Sequence, residues 1–122
     1  MKKLITILFA VSIISACHSR EHLCSEYNGE LPAADAPGIL TTVKLQFPDK
    51  YQNTQIYVGK PDGTFVENGC YKINGNLLTL KAKSGDVSYY QIEKGQIRRL
   101  TMDKEPVTGP LADNYILKCI GH

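Results

Sequence analysis

The most reactive side chains in this sequence are four cysteines and three histidines. Thiols can pair as disulfides, ligate soft metals or act as nucleophiles. Nucleophilic work needs a base within reach. His18, His22 and His122 all stand near the two ends of the chain. No histidine falls inside the folded region, so neither a Ser-His-Asp nor a Cys-His set can be assembled from it. Asp35, Asp49, Asp62, Asp86, Asp103 and Asp113 sit mostly in turns, where an aspartate stabilises the turn through its own side-chain bonds. Glycine-rich phosphate loops are absent. The expectation is a non-enzyme with no catalytic residue and no cofactor. His18, His22 and Cys24 could form a soft-metal site, but a flexible polar tail is the better account of them, and no metal site is assigned.

Cys17 has a context of its own. Lys2 and Lys3 precede an apolar run from Leu4 to Ile14, too short to span a bilayer as a mature helix. Ile14-Ser15-Ala16-Cys17 follows, and small residues just before a cysteine resemble the lipobox of bacterial lipoproteins. The resemblance implies that residues 1–16 are a signal peptide cleaved before Cys17. It also implies a diacylglycerol thioether on Cys17 and an acylated (for example palmitoylated) amine. Several buried acyl chains anchor stably, at about 0.8 kcal/mol per CH2. His18 stands where an aspartate would signal inner-membrane retention, so the expected location is the outer membrane, with the domain in the periplasm. Residues 17–23 lack periodicity and read as a lipidated tether.

The folded unit is residues 24–122, one domain by length. Loss of Lys2 and Lys3 brings the 14 basic residues level with the 12 acidic ones. Nothing here reads as a basic patch for nucleic acid or for anionic lipid. Arg98-Arg99 is the one tight basic pair; on a strand its members face opposite sides, and it reads as solvated surface.

What must position these groups is a series of short alternating segments, punctuated by Gly, Asn, Asp and Pro. Strands are predicted over 25–31, 39–47, 54–59, 64–73, 77–83, 87–92, 96–102 and 114–120, with no helix. Inward positions are Tyr27, Gly29 and Leu31, then Thr41, Val43, Leu45 and Phe47. Further along they are Phe65, Tyr71 and Ile73, then Leu78, Leu80 and Ala82, and finally Tyr115, Leu117 and Cys119. The tyrosines at 27, 57, 71, 89, 90 and 115 fit strand packing. Gly69 marks a bulge or bend. Lys60-Pro61-Asp62-Gly63 is a tight connection, and Asn74-Gly75 suits a type I′ hairpin. About eight such strands can close into a small lipocalin-like antiparallel meander barrel, with the last strand beside the first. Such a barrel is filled by side chains or holds one small ligand.

Between the first two strands runs Tyr27 to Ile39, Y-N-G-E-L-P-A-A-D-A-P-G-I. Pro32, Asp35, Pro37 and Gly38 exclude helix and ladder there and predict a rigid exposed loop, the candidate binding loop. With Thr41-Thr42, the later G-C-Y-K-I, the L-L-T-L strand and the ending L-A-D-N-Y-I-L-K, the stretch resembles the N-terminal domain of the copper-resistance lipoprotein family NlpE. The family pattern is roughly Y-x-G-x-L-P-C-A-D-C-x-G-I. The resemblance covers about Tyr27 to Lys118. It implies an anchored barrel linked to copper tolerance and to envelope-stress signalling, with an envelope sensor protein as partner. The family's C-x-x-C falls on Ala33 and Ala36. Alanine can neither ligate Cu(I) nor act as a redox dithiol. The loop's frame remains, so it could still serve as a contact surface.

Barrel closure would bring Cys24 close to Cys119 and permit a disulfide in an exported compartment. Parity objects, since Cys24 alternates away from inward Tyr27, unless the chain bends there. Cys70–Cys119 is the other pairing. Two further readings stand beside the family one: a periplasmic module resembling the lysozyme-inhibitor lipoproteins, and a carrier of a small apolar ligand. No small-molecule substrate is evident.

Overall fold

The structure, a computed structural model, describes residues 23–33 and 36–121. The signal peptide, Cys17, His18, His22, Asp35 and His122 lie outside the described residues.

Eight strands form the fold: β1 (Glu26–Leu31), β2 (Ile39–Gln46), β3 (Lys50–Tyr57), β4 (Thr64–Asn74), β5 (Leu77–Ala82), β6 (Val87–Glu93), β7 (Gln96–Arg99) and β8 (Ile116–Gly121). Each pairs antiparallel with the next, and β8 pairs with β1, so the sheet is a closed barrel in meander order. This is the all-β barrel expected.

Alternation sets the two faces. Tyr27, Leu31, Val43, Leu45, Tyr51, Tyr71, Leu78, Leu80, Tyr90, Ile97 and Leu117 point inward and make one core. Side chains therefore fill the barrel. Burying an aromatic or branched aliphatic side chain contributes about 1.5–3 kcal/mol, so the core dominates the stability of this unit.

Several expectations need correction. β3 begins at Lys50, four residues earlier than predicted, and brings Tyr51 into the core at 1% exposure. The polar run Lys50 to Thr54 hid this strand because only Tyr51 in it is apolar. Phe47 is exposed: β2 ends at Gln46, and the turn through Phe47-Pro48 breaks the alternation. Its ring meets Tyr71 edge-on at 6.5 Å between centroids. Phe65 and Ile73 keep inward parity but lie near the two ends of the long strand β4, where the wall no longer encloses them, and both are exposed. β7 is shorter than predicted, and Leu100 continues only as a bridge to Pro106. Residues Ala112–Tyr115 form a 3-10 turn rather than the start of β8.

Gly69 is neither bulge nor bend. It pairs in register with Tyr51 and Ala82, and a β-carbon there would overlap the Lys81 carbonyl oxygen. The glycine lets two strands approach. In the β4–β5 turn, among the described residues only Gly75 of the pair Gly75-Asn76 has positive φ (63°). That is the pattern of a type II′ turn rather than type I′. Arg98 and Arg99 do face opposite sides, yet neither is simply solvated. Arg98 pairs with Glu93 at 2.9 Å, and Arg99 turns inward over the Tyr90 ring at 5.5 Å from its centroid.

Candidate functional site

The antiparallel order puts the β1–β2 loop and the β3–β4 turn at one end of the barrel. Cys24, Cys119 and the β2–β3 turn lie at the other. Register fixes the first end closely. Leu31 pairs with Ile39, and Ile39 with Tyr57, so the described loop residues 32–33 and 36–38 stand at the same end as residues 58–63. The Val58 N–H donates to the Gly38 carbonyl at 3.0 Å, joining the loop to the turn. Pro37 lies alongside Gly59, whose φ of 82° needs a glycine. Gly38 is buried against the Glu30 side chain, which occupies the space a β-carbon would take.

Of the predicted loop residues, Pro32 is half-buried, Pro37 exposed and Gly38 buried, while Asp35 lies outside the described residues. Ala33 and Ala36, at the positions of the family's thiols, are half-buried. Among the described residues no group of three His, Cys, Asp or Glu side chains could hold a metal ion.

Beside the loop is a feature the sequence reading did not assemble. The turn Gly59-Lys60-Pro61-Asp62 is held by Tyr57 N–H donating to the Gly63 carbonyl at 2.9 Å. Around it Tyr57, Lys60, Pro61, Asp62, Gly63 and Phe65 line an open depression of about 520 Å³. Its floor is an edge-to-face pair, Tyr57 on Phe65, with centroids 5.6 Å apart, and Phe65 is 55% exposed. The signal was present in two halves: a turn motif and an inward aromatic at a strand's first turn. Only register places them together.

The barrel interior is electrostatically distinct. Tyr51 Oη donates to Glu67 at 2.6 Å, and burial followed by that hydrogen bond pushes its phenol far up. Burial also pushes Tyr90 up, against the opposing charge of Arg99. These groups brace the wall from inside, and the space a carried apolar ligand would need is filled by Tyr27, Tyr51, Tyr90 and their aliphatic neighbours.

At the far end Cys24 and Cys119 form a disulfide with their Cα atoms 5.9 Å apart. The parity objection dissolves at Ser25, where the chain bends just before β1. Beside it the register with β8 shifts, Glu26 pairing with Gly121 but Tyr27 with Cys119. Cys70 remains a free, exposed thiol, 3.4 Å from Lys50 Nζ. The bond to Cys70 is the main cause that raises the Lys50 ammonium's pKa.

Comparison with known proteins places this geometry. The family model described as NlpE N-terminal domain matches residues 27–110. A crystal structure of a Shewanella oneidensis protein assigned as a lipoprotein superposes with a TM-score of 0.70 at 33% identity, covering 81% of this chain and 90% of that one. The crystal structure of the Cpx pathway activator NlpE from Escherichia coli superposes with a TM-score of 0.66 at 24% identity, covering 71% of this chain. The match spans 47% of the Escherichia coli protein's length, and at that identity it speaks to the fold. No curated protein matches the chain.

Proposed function

The chain belongs to the NlpE N-terminal domain family, and from that premise we propose that it is a lipid-anchored, non-enzymatic lipoprotein of the outer membrane. It acts in envelope-stress sensing through protein contact made by the barrel end that carries residues 32–38 and 57–65. The observation that carries the reading is the hydrogen bond from Val58 to Gly38. It holds the proline-framed loop beside the Tyr57–Phe65 pair, in which Tyr57 is half-buried and Phe65 exposed, and an exposed aromatic anchor of that kind is what partners bury. That end points away from Cys24, hence away from a tether on Cys17. The partner is an envelope sensor protein, in keeping with the Escherichia coli relative being a Cpx pathway activator.

Copper handling at this loop is not supported, because Ala33 and Ala36 supply no ligand. The test combines two measurements. Mass spectrometry of the mature protein should find the diacylglyceryl group on Cys17, and Cys17→Ser should release the domain from the membrane. With the anchor intact, a photo-crosslinker at Phe65 should capture a partner that one at Lys118 does not. Stress signalling unchanged in a Pro37→Ala, Phe65→Ser variant would defeat the reading.

A further inference from the structure

The mature sequence has no net charge and no basic run, but strand pairing concentrates its lysines. Lys50 on β3 pairs with Cys70 on β4, and Cys70 with Lys81 on β5, so the three lie in one row across the outer wall. Lys72 stands two residues along β4 from Cys70, on the same face. Lys83 stands two residues beyond Lys81, its N–H bonded to the Asn68 carbonyl at 2.9 Å. All four lysines are exposed, and among the described residues none makes an ion pair. Tyr51, Tyr71, Leu80 and Ala82, which alternate with them, are buried, so parity holds the four ammonium groups outward. The nearest acids, Asp49 and Asp86, sit in turns at the patch margins. Every other position in these rows is neutral: Gln52, Asn68 and Thr79.

We propose that the outer wall of β3–β5, centred on Cys70, docks on an anionic lipid surface. Three lysines on three adjacent strands, with Lys83 in the turn just after β5, lie on one side of a small barrel, as a planar partner requires. Charge complementarity is the argument for lipid. Each lysine near an anionic membrane lowers the free energy enough to raise partitioning about fivefold, so four raise it several-hundredfold. The proposal rests on the membrane tether proposed above, which holds this wall within reach of headgroups, and it adds an orientation to that tether. Lys50 and Lys72 lie toward the Cys24 end and Lys83 toward the β5–β6 turn, level with Asn68, so docking lays the side of the barrel along the bilayer.

Cys70 reports the docking directly, since it is exposed at the patch centre and is the free thiol among the described residues. The full lipoprotein is reconstituted on vesicles of phosphatidylcholine, or of equal parts phosphatidylcholine and phosphatidylglycerol. Alkylation of Cys70 by a bulky maleimide is then timed. Co-flotation with the neutral vesicles tests the anchor separately. The expected result is labelling about tenfold or more slower on the anionic vesicles, with the difference removed by high salt. A Lys50→Gln, Lys72→Gln, Lys81→Gln, Lys83→Gln variant, normalised to its own rate on neutral vesicles, should show no protection. Equal rates on both vesicles in protein that floats would overturn the proposal and leave the anchor standing. So would protection that survives in the quadruple variant. Protection by a soluble acidic protein or duplex DNA over neutral vesicles, with none from anionic lipid, would assign the wall to that partner instead.

Discussion

The buried phenol oxygen of Tyr27 accepts the backbone N–H of Cys24 at 2.8 Å. One residue thereby fills the core and turns the chain before β1 so that Cys24 faces Cys119. Tyr27→Phe keeps the ring and strands a buried donor, which costs about 1–3 kcal/mol. Urea unfolding should show that loss with an unchanged m-value.

The bridge itself spans a sequence separation of 95 residues. Removing a native disulfide from a small exported domain costs about 2–5 kcal/mol. Cys24→Ala with Cys119→Ala, or reductant, should lower the urea midpoint accordingly. Cys70→Ser should leave it unchanged, since that thiol is exposed and unbridged. Equal sensitivity at all three positions would place the bridge elsewhere.

Two glycines separate close approach from mere crowding. At Gly69 an added methyl meets the Lys81 carbonyl oxygen and the Ala82 backbone, which cannot move without opening the β4–β5 pair. Gly69→Ala should cost about 3 kcal/mol. At Gly38 the obstacle is the Glu30 side chain, which can swing aside. Gly38→Ala should cost about 0.5 kcal/mol. Thermal unfolding of the two variants side by side checks the order.

The barrel was legible because alternation is a local signal. Thr41, Val43 and Leu45, then Leu78, Leu80 and Ala82, announce an inner face that the structure keeps. The turn Lys60 to Gly63 and the loop with Pro32, Pro37 and Gly38 were legible for the same reason. What stayed hidden depends on register, which no single segment encodes. Lys50-Tyr51-Gln52-Asn53 reads as polar loop until β2 pairs with it. Phe65 reads as core until its place at the open end is known. The joining of Val58 to Gly38 and the gathering of Lys50, Lys72, Lys81 and Lys83 exist only across strands.

Alkali should unfold the domain steeply. Burial holds the phenols of Tyr27, Tyr51 and Tyr90 above their ordinary pKa of 10.0, and the Glu67 hydrogen bond adds to this at Tyr51. The unfolded chain ionises them near 10.0, so above that pH the folded state holds more protons and stability falls as pH rises. Below it the contribution is fully present. Each such tyrosine steepens the loss by up to about 1.4 kcal/mol per pH unit. Of the seven tyrosines in the chain, these three should yield tyrosinate absorbance only on unfolding. Tyr51→Phe should flatten the alkaline slope by one proton's worth, whatever it does to stability at neutral pH.

The loop supplies the sharpest test of what its sequence has given up. Leu31 and Ile39 pair across its base, and Val58 holds its far side, so its two ends keep fixed positions whatever residues 33 and 36 carry. Two thiolates at those positions would offer Cu(I) the soft ligands it prefers, and two methyl groups offer none. The unaltered domain should compete no better for Cu(I) against a chelator than its Cys70→Ser variant does after allowance for one exposed thiol. An Ala33→Cys, Ala36→Cys variant should gain tight binding at one ion per chain, with the urea midpoint shifted by metal only in that variant. Tight binding by the unaltered protein would mean that a copper site exists outside this loop. Failure of the double variant to gain binding would mean that the frame around Gly38 no longer holds the geometry the thiols need.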